Sequence, residues 1–321
     1  MSSPKPQSVL VFDVGGSHVS AAVCEQETYA LRGLSRAPLP ADGKAHFSAA
    51  SFCRLIHTLG EAAANACGAP LEDITGAALA MPGPFDYQRG ISKMTHKLPG
   101  LFDVDLKSAL AARFHWPPAQ VRFVNDAAAF LLGEVGAGAA KGFSRSIGIT
   151  LGTGIGCAFA VDGRVVTEGV GVPPGGEIWN LPFDGATVED FVSTRFLRKQ
   201  FLALTGLEAE VSAIADAAVG DLPCPELSRD SKPSSDPNDA HCRARQAFLD
   251  FGVNLALVLN RHAAAFAPDV IVFGGGISRA SNLFLPATRE ALEGFSAKLA
   301  ISELMDEAPL AGAGVRWFTA P

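Results

Sequence analysis

The sequence predicts an α/β protein in which β-strands and α-helices alternate along the chain. One observation is a series of short apolar runs, such as Ser8 to Asp13 and Thr75 to Met81, that end at glycine, proline or polar residues. Another is the helical spacing of apolar residues between such runs, for example in Ala49 to Ala66. A third is that the order strand, glycine turn, strand occurs both near residue 13 and near residue 152. This repetition indicates two related α/β halves.

The N-terminal half is predicted to begin with a strand and to end with a helix. Its strands are Ser8 to Asp13, Val19 to Cys24, Thr75 to Met81 and Val121 to Val124. Its helices are Ala49 to Ala66, Val104 to Phe114 and Ala127 to Val135. Asp126 is therefore expected where a strand meets a helix, near the positive end of a helix dipole.

The C-terminal half continues the alternation. Its predicted strands are Ser146 to Leu151, Ile155 to Val161 and Val270 to Phe273, with a hairpin turn at Asp162-Gly163. Its predicted helices are Val188 to Leu204 and Arg243 to Phe266. Gly220 to Ala240 is dense in proline, serine and aspartate, so we interpret it as a mobile loop or an insertion.

The composition excludes several classes of function. The 321 residues include 26 lysines and arginines against 33 aspartates and glutamates, and the net charge of -7 is unfavourable for a general nucleic-acid binder. The six cysteines form no CxxC pair, which is typical of a reducing compartment rather than of a disulfide framework or a zinc finger. Ser146 to Val161 lacks charge but is short and contains glycines, so no membrane span is predicted. We therefore expect a soluble, cytoplasmic protein.

The segment Asp13 to His18 follows the first strand and is a candidate phosphate loop. Its glycines allow the backbone to approach phosphate oxygens without a Cβ clash, and Ser17 adds a hydroxyl donor. Asp13 can hold Mg²⁺ through water, since this ion prefers carboxylate and phosphate oxygens. A hairpin turn with a capped end is the alternative interpretation.

A second candidate loop is Gly152-Thr153-Gly154-Ile155-Gly156. A strand and a hairpin follow it instead of a helix, so it is not a dinucleotide-binding fingerprint. Two such glycine loops together can bind a triphosphate from both sides. Gly274-Gly275-Gly276 follows a buried strand, and its backbone can admit a nucleotide base or ribose. The alternative there is a tight turn between a strand and a helix.

Acidic residues supply two further candidates. Asp126 can accept a proton from a substrate hydroxyl, although the N-cap of the following helix is the better explanation of this residue taken alone. Glu177 follows Gly175-Gly176, and Glu189 and Ser193 come after it. Carboxylates in an uncharged neighbourhood suit a polyhydroxyl compound, because each oxygen accepts hydrogen bonds from adjacent hydroxyls.

Together these motifs resemble the ROK family of bacterial sugar kinases and their relatives. The resemblance runs in order along almost the whole chain, through Asp13 to His18, Met81 to Pro84 with Asp86 and Gly90, Asn125 to Ala127 with Gly133-Glu134, Thr150 to Gly156, Gly176 to Ile178, and Gly274 to Ser278. It implies the actin-like ATPase (ribonuclease H-like) fold, with two α/β domains around a cleft. We expect a smaller N-terminal domain over 1–122 and a larger C-terminal domain over 123–321, whose extreme C-terminus packs back on the N-terminal domain.

The resemblance also implies roles for individual residues. Asp126 matches the catalytic base and Asn125 a sugar ligand. Glu177 and Glu189 match glutamates that contact sugar hydroxyls, and Gly83 lies in a matching motif at the sugar. The ATP phosphate loops are matched by Gly15, Gly16, Ser17, Gly152, Thr153 and Gly154. We expect Asp13, His18, Gly275 and Gly276 to contact the nucleotide as well.

Three residues depart from the family pattern. Asn180 stands where a histidine is usual, Lys97 where a sugar-binding asparagine is usual, and His18 where a lysine is usual. We still expect Asn180 and Lys97 to contact the sugar. The segment 181–187 has neither cysteine nor histidine, so no structural zinc is expected. With the first motif already at Asp13, the helix-turn-helix of the family's repressors is not expected either.

The implied function is an ATP-dependent hexose kinase that uses Mg²⁺ and phosphorylates a sugar hydroxyl, by default the 6-hydroxyl of glucose. A homodimer is also implied. One alternative is a non-catalytic sugar- or nucleotide-binding relative, in which the changes at His18, Lys97 and Asn180 have ended phosphoryl transfer. Another is a phosphatase or ATPase with water as the nucleophile. The presence of Asp126 favours the kinase, because a binding protein has less need of a base.

Overall fold

The computed structural model describes residues 7–39, 47–95, 97–220, 224, 237–293 and 296–319. The chain forms two compact units. The first comprises Met1–Phe143, Asp162–Val165 and Ser302–Pro321, and the second comprises Ser144–Val161 and Val166–Ile301.

The first unit is built on a five-stranded sheet. In chain order its strands are β1 (Ser8–Val14), β2 (His18–Glu25), β3 (Leu31–Pro38), β4 (Ile74–Met81), β5 (Phe85–Asp86), β6 (Ile91–Ser92) and β7 (Val121–Asn125). Its first helices are α1 (Ala49–Ala66), α2 (Leu106–Phe114) and α3 (Asp126–Ala137). The sheet has the order β3-β2-β1-β4-β7, and β5 pairs separately with β6.

The strand directions in this sheet place the candidate residues at one edge. β1 is antiparallel to β2 but parallel to β4, and β4 is parallel to β7. Asp13 lies opposite Ala80, and Met81 lies opposite Asn125. The carboxyl ends of parallel strands meet at the same edge of a sheet, so Asp13 and the residues after β7 come near each other.

The second unit repeats this plan. Its strands are β8 (Arg145–Leu151), β9 (Ile155–Val161), β11 (Pro182–Phe183), β12 (Ala186–Thr187), β13 (Val270–Gly274) and β14 (Lys298–Ile301). β10 (Arg164–Val166) pairs with β9, although only its last residue, Val166, is assigned to this unit. Its helices are α4 (Val188–Phe191), α5 (Thr194–Thr205), α6 (Val211–Ala218), α7 (Pro237–His262) and α8 (Ser281–Glu290). The sheet order is β10-β9-β8-β13-β14, with β8, β13 and β14 parallel. The internal repetition expected from the sequence is therefore present in the strand order.

Each unit has its own hydrophobic core. In the first, Phe12 of β1 and Phe52 and Ile56 of α1 are completely buried. In the second, Phe248 and Phe251 of α7 are completely buried in one cluster that also contains β8 and β13. Apolar side chains on both faces of the central strands explain why these strands read as continuous apolar runs.

The C-terminal helix α9 (Ala308–Thr319) belongs to the first unit. It crosses α3 at two glycines, since a Cβ at Gly133 would overlap the carbonyl of Ala308 and a Cβ at Gly312 would overlap that of Ala129. The boundary after residue 122 stays a prediction about domains. The first compact unit continues to Phe143, because β7 pairs with β4 and α3 packs against α9.

Several elements differ from the sequence-based expectation. The predicted helix Val188 to Leu204 is two helices, α4 and α5, because the backbone at Ser193 is extended. The Ser193 hydroxyl caps α5 by accepting a hydrogen bond from the Phe196 amide. The helix predicted over Arg243 to Phe266 begins at Pro237 and ends at His262. The loop predicted over Gly220 to Ala240 lies mostly outside the described residues.

The cysteines contradict the sequence-based expectation. Cys224 and Cys242 form a disulfide, although no cysteine motif predicted one. Cys24, Cys53, Cys67 and Cys157 are free thiols. The bridge joins residues 18 positions apart in the chain, a spacing that carries no recognisable pattern. Within the described ranges, no helix is long and apolar enough to cross a bilayer.

Candidate functional site

Two carboxylates lie together at the carboxyl edge of the first sheet. Asp13 ends the pairing of β1 with β4, and Asp126 is the first residue of α3, directly after β7. Burial and then the negative charge of Asp126 raise the pKa of Asp13 to about 7. Arg36 opposes this effect and Asp306 adds to it. Asp126 itself is half-buried, so the residue is not sealed in the interior.

A hydrogen-bond chain orients the neighbouring Asn125. Its Oδ1 accepts a hydrogen bond from the Ala128 amide at 3.0 Å, so Asn125 is the N-cap of α3. Its Nδ2 donates to Tyr87 Oη at 3.0 Å, and Tyr87 Oη donates to the Met81 carbonyl at 3.2 Å. The N-cap, expected at Asp126 as the alternative to a catalytic role, thus belongs to Asn125. Gly83 lies beside this chain, since a Cβ there would be 3.5 Å from Tyr87 Oη.

The first glycine loop turns tightly between β1 and β2. The Gly15 amide donates to the His18 carbonyl at 3.0 Å, and the Leu39 amide donates to the Ser17 carbonyl at 2.8 Å. Gly16 and Ser17 are exposed, and no described atom lies within 4 Å of a Cβ built on Gly16. Neither crowding nor a left-handed φ therefore requires glycine at this position, and there is open space where a Cβ would lie.

The second glycine loop is held by Thr194, the first residue of α5. The amide and hydroxyl of Thr194 donate to the Gly152 carbonyl at 2.8 and 2.9 Å. A Cβ built on Gly152 meets no described atom within 4 Å, whereas one on Gly154 would overlap the carboxylate of Glu189. The structure therefore places a predicted sugar ligand, Glu189, against a predicted phosphate loop.

A cavity of about 530 Å³ opens beside Gly152 in the second unit. Gly276 lies in the same wall, so two residues predicted to bind the nucleotide share one cavity. Apolar side chains of α6 and α8, among them Val211, Ala215 and Leu283, form much of the remainder. The volume is in the range typical of small-molecule sites. Gly275 has a structural role here, because its φ is +83° and a Cβ would be 2.5 Å from the Leu151 carbonyl.

The other predicted sugar ligands are on the surface. Glu177 is exposed and accepts a hydrogen bond from Trp179 Nε1 at 2.8 Å. Burial, and then the negative charge of Glu177, raise the pKa of the Cys157 thiol. Glu177 therefore lies near β9. Asn180 and Lys97 are exposed, and neither side chain bonds another described residue.

Arg36, Tyr87 and Asp306 were not predicted as site residues. Arg36 comes from β3 and Asp306 from the turn before α9, and both act on Asp13. Neither belongs to a motif, so only the fold brings them to the site. Tyr87 lies within the Asp86 to Gly90 part of the family resemblance, which was the one sequence signal near it.

Metal-binding groups are sparse in the described ranges. There, no three or more His, Cys, Asp or Glu side chains are grouped so that they could hold a metal ion. Asp13 nevertheless suits Mg²⁺ bound through water, because this ion takes one or two carboxylates and completes its shell with waters and phosphates.

Comparison with known proteins identifies the relatives of the chain. The sequence model of the ROK family matches residues 9–178. Glucokinase from Thermotoga maritima is 27% identical over 321 aligned positions, which cover 94% of each chain. A crystal structure of a ROK hexokinase from Thermus thermophilus is 25% identical, covers 96% of this chain and 97% of its own, and superimposes with a TM-score of 0.70.

A third comparison concerns the fold. The ROK family glucokinase from Streptomyces griseus, crystallised with glucose and AMPPNP, superimposes with a TM-score of 0.69 at 19% identity. The alignment covers 96% of this chain and 98% of that one. These likenesses confirm the predicted α/β class and the actin-like ATPase fold.

Proposed function

The chain belongs to the ROK family, and from this premise we propose that it is an ATP-dependent sugar kinase that phosphorylates a hexose hydroxyl. The observation that supports the proposal most strongly is the half-buried carboxylate of Asp126 beside Asp13. The name of the Thermotoga maritima relative favours glucose and its 6-hydroxyl as the first acceptor to test.

In the proposed reaction Asp126 is the general base. It accepts the proton of the sugar hydroxyl as the hydroxyl oxygen forms a bond to the γ-phosphorus of ATP. The bond from that phosphorus to the bridging oxygen breaks, and ADP leaves with the electron pair. Most of the acceleration comes from positioning and charge neutralisation rather than from proton transfer.

The sugar ligands proposed are Asn125, Gly83, Lys97, Glu177, Asn180 and Glu189. Asn125 is supported by geometry, because Tyr87 and the Ala128 amide fix both ends of its amide group. A fixed amide donor and acceptor suits adjacent sugar hydroxyls. Glu177 and Glu189 offer carboxylate acceptors, and Lys97 and Asn180 have polar groups that face solvent.

The proposed ATP site uses backbone more than side chains. Open space where a Cβ of Gly16 or Gly152 would lie leaves room for phosphate oxygens, and the cavity beside Gly152 and Gly276 has the size for a nucleoside. Asp13 would hold Mg²⁺ through water, and the ion, when bound, neutralises charge on the phosphates. Asp13 is suited to this because it lies beside Asp126, and two neighbouring carboxylates attract a cation.

A coupled assay of ADP release, with and without a panel of hexoses, tests the proposal. ADP release that depends on one of the sugars is expected. Release without any sugar would indicate an ATPase. No release, together with sugar or nucleotide binding in a thermal-shift assay, would indicate the non-catalytic relative.

A further inference from the structure

Arg36, His18 and Ser17 form a chain of polar contacts beside the first glycine loop, and the reaction proposed above does not use it. Arg36 Nη2 lies 2.7 Å from His18 Nε2, and His18 Nδ1 lies 3.0 Å from Ser17 Oγ. The antiparallel pairing of β2 with β3 sets Arg36 opposite Ser20, from where its side chain reaches the ring of His18. The contacts therefore follow from the strand register.

The chemistry of arginine fixes the direction of the two hydrogen bonds. Arginine has donors and no acceptor, so His18 Nε2 must accept. A neutral ring then carries its hydrogen on Nδ1 and donates it to Ser17 Oγ. Burial and the charge of Arg36 lower the pKa of His18, against a smaller opposing effect of Asp306, which favours the neutral ring.

The direction of these bonds determines what Ser17 can do. Its oxygen accepts from His18, so its hydroxyl hydrogen is left for another acceptor. Among the described residues the Ser17 hydroxyl makes no second hydrogen bond. Ser17 is exposed and follows Gly16, beside whose Cβ position there is open space. The hydroxyl is thus prepared as a donor at the edge of the loop.

The surroundings indicate the kind of acceptor. Arg36 acts on Asp13, and Asp13 in turn is next to Asp126. A phosphoryl group near two carboxylates needs donors and positive charge to offset their repulsion. The group next to the proposed base must be the one transferred, because Asp126 takes its proton from the attacking hydroxyl.

We propose that Arg36 is a positioning residue that acts through His18 to direct the Ser17 hydroxyl to the γ-phosphoryl group of ATP. This inference rests on the proposed function for the identity of the ligand. The family pattern has a lysine at position 18. Here Arg36, which reaches His18 from the neighbouring strand, supplies the positive charge beside the loop.

Titration calorimetry with AMPPNP and with ADP, each with Mg²⁺, tests the inference on the full chain. Arg36→Met should weaken AMPPNP binding about tenfold or more and ADP binding by less than about threefold, the size expected for one charge-assisted hydrogen bond. Ser17→Ala should have the same effect. The double variant should bind AMPPNP no more weakly than either single variant, because both substitutions remove the same hydrogen bond to the γ-phosphoryl group. Arg36→Lys keeps a donor and should recover most of the affinity.

Arg32→Met is the matched control. Arg32 is an exposed arginine of the same strand, and it pairs with Glu25 at 3.0 Å instead of with the loop. The inference is overturned if Arg36→Met leaves AMPPNP binding unchanged, weakens ADP equally, or adds its effect to that of Ser17→Ala. It is overturned as well if the wild-type chain does not bind AMPPNP.

Turnover separates this inference from the proposed function. In an active enzyme, Arg36→Met should raise the KM for ATP or lower kcat while the KM for the sugar stays constant. A wild-type chain that binds AMPPNP through Arg36 but never transfers phosphate to a sugar contradicts the proposed function alone. A sugar kinase whose nucleotide binding ignores Arg36 contradicts this inference alone.

Discussion

The two five-stranded sheets share one strand order but end in different chemistry. In the first, the last residue of β1 that pairs with β4 is Asp13; in the second, the last residue of β8 that pairs with β13 is Thr150. The third parallel strand of the first sheet, β7, ends at Asn125, and Asp126 follows it. The middle parallel strand of the second sheet, β13, runs into glycines.

The shared strand order therefore fixes where functional groups lie in each unit, but not which residues they are. The equivalent positions at the ends of β1 and β8 hold a carboxylate in one unit and a hydroxyl in the other. In the proposed kinase, the first unit supplies the base and the second supplies backbone that can approach a nucleotide. Substitutions in each unit test whether the functional groups are distributed in this way.

The largest effect is expected at Asp126. Asp126→Asn removes the proton acceptor but keeps an oxygen for the Ala127 amide, which now donates to Asp126 Oδ1 at 2.9 Å. We expect kcat to fall by about 10²- to 10⁴-fold, the usual contribution of a general base, while circular dichroism stays unchanged. Asp105→Asn is the control, because Asp105 caps α2 and asparagine caps helices equally well. Near-normal turnover of Asp126→Asn would refute its role as the base.

A buried carboxylate with a purely structural role sharpens the contrast within the first unit. Glu134 is completely buried and accepts hydrogen bonds from the Ala139 amide, from Ser302 Oγ and from the Leu304 amide. Glu134→Ala leaves these donors unpaired, so we expect a loss of about 3 kcal/mol or more in the local stability of α3 and α9. Native-state hydrogen exchange measures it, with the exposed Glu72→Ala as control. Unchanged protection of both helices would contradict this account.

Two glycines of the second unit should respond oppositely to the same substitution. Gly152→Ala meets no described protein atom, so stability should persist while AMPPNP affinity falls about tenfold. Alanine at position 275 would have to adopt the left-handed φ of Gly275, and its Cβ would clash with the Leu151 carbonyl. For Gly275→Ala we therefore expect a loss of about 1–3 kcal/mol in the free energy of unfolding. Thermal denaturation and calorimetry on both variants separate the effects. If Gly152→Ala destabilised the fold and left nucleotide binding intact, the assignment of an open ligand face would be wrong.

The smallest effect is expected at Tyr87. Tyr87→Phe removes the hydroxyl that joins Asn125 to the Met81 carbonyl, and the ring contact with Phe85 remains. The KM for the sugar should rise about three- to tenfold, as for one neutral hydrogen bond, while AMPPNP affinity stays the same. A change in AMPPNP affinity instead would mean that Tyr87 serves the nucleotide and not the sugar.

Elements with strong periodicity were predictable, and weakly patterned ones were not. The spacing of Phe52 and Ile56 predicted α1 with its observed bounds. β3 was missed because it is an edge strand whose side chains are at most half-buried, so no apolar run marks it. α9 was missed because its alanines and glycines pack against another helix, and such packing has no signature in a single sequence.

The break between α4 and α5 shows another limit of sequence patterns. Val188, Val192 and Leu197 are all completely buried, so the apolar spacing continues across the break. Only Ser193 marks the second N-terminus, and serine is common in other contexts. At the site, the motif residues were predictable, whereas Arg36 and Asp306 reach Asp13 only through tertiary structure.

The place of α9 has a consequence for synthesis on the ribosome. The second unit is made from a nearly continuous stretch that is complete by Ile301, whereas the first unit still lacks its last helix at that moment. Until α9 emerges, the groove of α3 around Ala129 and Gly133 is uncovered. The half of the molecule that is translated first is therefore the half that is finished last.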